Sequence, residues 1–207
     1  MTTAITKKAG RGTSDGVISE LTTFWDVLPG HGHADEARAA GQRMVDAIHG
    51  LDPATSASTG LRDARLAVSS DDRTLLFATA FETEWDHYID DAILVVGVGV
   101  FLDWMQHTVQ GQEIVEWAKA SGAENFAQGD PEWEALMRKA TSRLKAILQS
   151  TQSQATGYFN ALSGLTLPQF DRQQRVNRAF EQVLDDPAAA EALQHPALKP
   201  LLELAAD

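Results

Sequence analysis

Cysteine is absent from the chain, and with it go disulfides, thiolate nucleophiles, iron–sulfur clusters and Cys-type zinc sites. Long apolar runs are missing too. The best candidate, Ala92 to Leu102, is interrupted by Gly97 and Gly99 and flanked by acids, well short of the roughly 20 residues that span a bilayer. Positive charge is scarce: 17 Lys and Arg against 29 Asp and Glu leave a formal charge of −12 and a pI near 4.8. Such a chain is repelled by nucleic acid and by anionic membranes, so neither is expected as a partner. No phosphate-binding glycine loop, no GxGxxG after a strand and no nucleophile elbow occurs, which leaves nucleotide and serine-hydrolase chemistry unsupported. The first sixteen residues, MTTAITKKAGRGTSDG, lack the apolar centre of a secretory signal and read as a disordered tail. A soluble, cytoplasmic protein is the expectation, with a single domain over residues 17–207.

What is present is strongly patterned. The stretch from Thr74 to His107 organises the rest: an apolar strand, Thr74 to Phe81, leads through Thr83 and Asp86 at capping-box spacing into a helix. That helix carries Trp85, Tyr88, Ile89, Ala92, Ile93 and Val96 on one face, an amphipathic stripe. Upstream, VISELTTFWDVL alternates over Val17 to Leu28, with Leu21 and Trp25 on one face and Glu20, Thr22, Phe24 and Asp26 on the other, as a strand should. Pro29 and Gly30 turn the chain into a helix whose apolar positions run from Ala37 to Leu51, with Asp35 and Glu36 in its first turn, where acids suit the helix dipole. A second strand, Leu61 to Val68, is joined by the polar turn SSDDR to Thr74–Phe81, so those two are expected to form an antiparallel hairpin.

The order strand, helix, strand, strand, helix is most of a ferredoxin-like β-α-β-β-α-β sheet. The closing strand is expected at Thr156 to Leu162 (TGYFNAL). Residues from about 99 to 154 then form a helical insertion before it, including a long helix with Asp130 as cap and Pro131 at its first position. C-terminal helices follow over about 168–207, the first with Phe170, Val176, Phe180, Val183 and Leu184 as an inner stripe.

With that order, the segments TTFWDVLPGHGHADEARAA and TLLFATAFETEWDHYIDDA make residues 16–96 resemble the dimeric α+β barrel superfamily. Its members include antibiotic-biosynthesis-type monooxygenases and the related barrels of dye-decolourising peroxidases and chlorite dismutases. The resemblance implies a homodimer closed through the helix-free sheet face, a pocket for a small apolar or aromatic molecule, and an oxidoreductase step that is monooxygenase-like or peroxidase-like, cofactor-free or haem-dependent. Fold alone does not fix activity, and the rival reading is a non-catalytic module for ligand binding or protein assembly.

Candidate residues follow from both lines. His107, beside Trp104 and Met105 with Asp103 four residues before it, suits an axial haem or metal ligand whose imidazole a carboxylate orients; the plain alternative is a histidine held by an ordinary i,i+4 contact. Trp104 and Phe77 are the expected cofactor-binding neighbours, and Arg65 and Asp103 the catalytic candidates. Thr22, Phe24, Asp63, Arg65, Phe77 and Thr79 are assigned to the helix-free face, where Arg65 could orient an anionic ligand or simply pair with Asp63 or Glu20. His31 and His33 have H-x-H spacing in a glycine-rich turn, open to reading as a metal pair or as an exposed loop. His87 is a weaker alternative ligand, and the acids Glu82, Glu84, Asp86, Asp90 and Asp91 fit a solvated helix face better than a carboxylate metal site.

Overall fold

In the computed structural model, which describes residues 12–82, 84–122 and 131–206, the chain opens with a hairpin. β1 (Ser14–Asp15) turns through Gly16 and Val17 into β2 (Ile18–Asp26). Gly16 has φ +60°, and a Cβ there would sit 2.2 Å from the Ser163 carbonyl oxygen, so both backbone and space demand glycine. Ser14 and Asp15, expected in a disordered tail, are therefore strand; residues 1–11 lie outside the described residues.

β3 (Leu61–Val68) and β4 (Thr74–Phe81) fall at the expected bounds. The sheet has the order β1-β2-β4-β3 and every adjacent pair is antiparallel. Between β2 and β3 the chain passes through α1 (His33–His49) and the short α2 (Pro53–Ser58), so β4 lies between two strands joined by a helix. Gly41 lets α1 approach β3, because a Cβ there would come within 2.9 Å of a Leu66 methyl.

After β4 come α3 (Trp85–Val96), α4 (Val98–Met105), α5 (Gln112–Ala120) and α6 (Pro131–Thr151). The residues buried on α3 are Trp85, Tyr88, Ile89, Ala92 and Ile93, the expected stripe, with Tyr88 stacked on Phe81 at 4.3 Å. The proposed caps Thr83 and Asp130 lie outside the described residues. Gly97, at φ 93° and ψ 138°, separates α3 from α4. The architecture is α+β, with one antiparallel sheet and helices against one of its faces.

Two expectations are corrected. Thr156–Leu162 forms no strand, and Phe159 there is 82% exposed. The reason is that the free edge of β2 is already used. Its outward backbone groups bond in turn to Gly12 (N–H to Glu20 O, 3.0 Å), Ser153 (N–H to Thr22 O, 2.8 Å) and the 107–109 segment (Val109 N–H to Asp26 O, 2.8 Å; Leu28 N–H to His107 O, 2.9 Å). The helices over 98–151 thus lead back to β2 itself rather than to a final strand. Phe77 and Thr79 also sit on the helix-covered face, 3% and 1% exposed, in register with Leu66 and Ala64 of β3. On the open face β4 contributes Leu76, Ala78 and Ala80, opposite Phe24, Thr22 and Glu20.

The described residues divide into two compact units between Gly164 and Leu165. The second contains α7 (Leu167–Leu184), α8 (Ala190–Leu193) and α9 (Lys199–Ala205), with 3-10 turns at Pro187–Ala189 and Pro196–Leu198. α7 opens with a full capping box, Thr166 and Gln169. Its expected inner stripe is not buried: Val176 is 61% and Val183 43% exposed.

Candidate functional site

Backbone geometry at both ends of the first unit's helices brings two histidines together. Gly30 and Gly32, with φ 116° and 92°, bend the chain so that His33 becomes the first residue of α1. Beyond α4 the chain turns at Gln106 and His107, and the Leu28 N–H bond to the His107 carbonyl pins that turn against the 28–33 loop. The two Nδ1 atoms lie 3.2 Å apart with the rings tilted by 54°, so one neutral imidazole donates to the other. His33 is therefore partnered by His107, 74 residues away. His31, its H-x-H neighbour, is exposed, as is His87.

Asp103 does not serve His107 in the expected way. Its carboxylate takes Arg43 of α1 in a forked pair, Nε–Oδ2 2.7 Å and Nη2–Oδ1 3.1 Å. The i−4 argument fails because α4 ends at Met105 and His107 sits in the turn after it. Burial, and then His33, hold the His107 imidazole below its ordinary pKa; Glu36 and Asp103 act against this, and Arg43 adds to it. A histidine kept neutral in the folded state takes up its proton more readily when unfolded. Its contribution to stability is therefore complete above the unfolded value of about 6.5 and is lost as pH falls through that value toward the lower folded one. Urea midpoints from pH 8 to pH 5 should fall more steeply in the wild type than in His107→Gln; equal slopes would show that His107 does not titrate in this way.

The other candidates fall elsewhere. Trp104 is fully buried, edge-on to Trp25 at 4.9 Å and stacked with Phe77 at 5.4 Å and 28°. Rings in direct contact leave no slot for a macrocycle between them. Arg65 lies on the open sheet face, 65% exposed, 3.4 Å from Asp63. The five candidates thus occupy three places: Trp104 and Phe77 in the core, Arg65 on the open sheet face, and Asp103 and His107 at the end of α4. A haem held by His107, Trp104 and Phe77 does not fit this arrangement, and no step is assigned to one.

The acids of α3 do more than solvate it. Asp86 and Asp90 converge on Lys145 of α6, at 3.3 and 2.7 Å, and hold its side chain at 16% exposure. That clamp stands at the rim of the largest of the described cavities, about 880 Å³, between the end of α3, the start of α4 and the face of α6. Ile93, Leu94, Val98, Trp133 and Met137 form its apolar lining, and Thr141, Ser142, Arg138 and Lys145 supply polar groups. A Cβ at Gly97 or Gly99 would meet nothing within 4 Å, which keeps the cavity open at the helix break. The size and the mix of apolar lining with few polar groups are those of small-molecule sites. The sequence carries one trace of this cavity, an apolar Leu94 off the inner stripe of α3, and in the structure that side chain is 77% exposed.

None of the described helices is long and apolar enough to cross a membrane. No family model matches the chain, and neither curated proteins nor solved structures give a match.

Proposed function

We propose that the protein binds a small apolar or aromatic molecule in the cavity between α3, α4 and α6. One observation carries the reading: an apolar lining of ligand size whose rim cation, Lys145, is held in place by Asp86 and Asp90 rather than free to collapse inward. A ring laid against Trp133 and Met137 buries its faces there, and Thr141 and Ser142 offer hydroxyls to one polar substituent. The oxidoreductase expectation rested on the resemblance to the α+β barrels, with His107 and Asp103 as its paired chemical residues. With Asp103 paired to Arg43 and His107 to His33, binding alone is put forward, in line with the non-catalytic reading. The cavity lies within the first unit of one chain, so the site requires no second copy. On the open sheet face Phe24 lies opposite Leu76, itself opposite Ala67 of β3, with Arg65 and Asp63 beyond them opposite Ala78 and Ala80.

A panel of one- and two-ring aromatic compounds titrated against protein carrying a labelled Met137 methyl tests this. At least one compound should shift the Met137 signal saturably, and Ser142→Trp, which fills an exposed position of the rim, should weaken it at least tenfold, about 1.4 kcal/mol. Unchanged affinity in Ser142→Trp, or no saturable shift with any compound, would remove the cavity as the binding site.

A further inference from the structure

The histidine pair offers chemistry independent of that cavity. We propose that His33 and His107 together bind a divalent d-block cation, with Zn²⁺ as the representative, through their two Nδ1 atoms. Bonds of about 2.0–2.1 Å to zinc place ligand nitrogens 3.2 Å apart at an angle of about 100°, near the tetrahedral value. The cation replaces the single proton that the two rings share, and the nitrogens already stand at the separation a zinc ion needs.

The surroundings balance in its favour. The positive end of α1 opposes a cation at His33, but the first-turn acids Asp35 and Glu36 offset it. Glu36 and Asp103 both act on His107 in the direction that favours positive charge. Arg43 acts the other way, and its own charge is answered by Asp103. Among the described residues no group of three or more His, Asp or Glu side chains is placed to hold a metal. The described residues therefore supply two ligands, with water in the other positions. Imidazole ligands select borderline metals such as zinc, nickel and copper over magnesium and calcium, which prefer oxygen. Bound there, the ion ties the start of α1 to the turn after α4 and so stabilises the folded state by mass action.

The test is calorimetric titration of Zn²⁺ into metal-free full-length protein at pH 7.5, with thermal melts of the same samples. The expected result is one saturable site per chain and a zinc-dependent rise in Tm. His33→Ala and His107→Ala should each lower affinity at least tenfold and abolish the rise, while His87→Ala leaves both unchanged. His107→Gln keeps the size and polarity of the side chain, so it should melt like the metal-free wild type yet show no rise with zinc, which separates loss of a ligand from loss of fold. In ¹⁵N-labelled protein zinc should move the Nδ1 resonances of the two rings. Absence of saturable binding, or binding by His107→Ala within twofold of wild type, overturns the proposal and leaves the pair as a hydrogen-bonded contact.

Discussion

Trp104→Ala is expected to destabilise the first unit by about 3–5 kcal/mol, since a fully buried indole is lost and the space cannot be refilled by its neighbours. The ring is 0% exposed and lies between Trp25 and Phe77, which belong to different strands. Removing it leaves the edge-on contact of Phe101 with Phe77 to join α4 to the sheet. Trp104→Phe should cost far less: the indole Nε1 has no hydrogen-bond partner, so the smaller ring surrenders area but also removes a buried, unpaired donor. Urea unfolding of the two variants checks both points. A change below about 1 kcal/mol in Trp104→Ala would contradict the packing described for α4.

The second large effect is expected at Arg62 and Glu82. Their side chains, 8% and 10% exposed, form an ion pair at 2.5 Å. It exists because the register of β3 against β4 shifts between Leu61 and Asp63, and a bulge of this kind re-aims the side chain at the extra residue. The Glu82 N–H bond to the Gly60 carbonyl, 3.0 Å, brings the carboxylate to the same place. Arg62→Ala leaves Glu82 buried without its cation and should cost about 3–5 kcal/mol, whereas the paired change to two apolar residues of similar volume should cost much less. Denaturant unfolding across the double-mutant cycle reads the coupling directly. If the single and double variants were additive within about 0.5 kcal/mol, the two groups would not be acting as a pair.

These examples show what the sequence could and could not convey. The half-burial of Arg62 keeps step with Ala64 and Leu66, yet nothing local in the sequence named Glu82 as its partner. β4 is apolar on both faces, so periodicity could not tell which of Leu76 and Phe77 meets the helices; the register with β2 and β3 decides it. Asp103 and His107 looked paired because helical spacing was extended past the point where α4 stops. The contact His107 does make, with His33, depends on two glycine-bent loops meeting, and no spacing rule reaches across that distance. The strand at Thr156–Leu162 was inferred from topology more than from pattern, and topology was satisfied by other segments.

How β2 keeps its outer edge covered bears on the order in which the protein assembles. Three short pieces of chain, drawn from the beginning, middle and end of the first unit, each satisfy a portion of that edge. Thr13 bonds Ala155 across 142 positions, and Asn160 bonds Asp15 across 145. Contacts of such long range cannot form until the intervening chain has condensed, because the entropy of closing the loop comes before any reward. The β2-β4-β3 pairing and α1 can form earlier, leaving the seam along β2 to close last. Until it closes, the nascent molecule presents an open strand edge rich in β-branched and aromatic residues, which is the state most exposed to pairing with another chain.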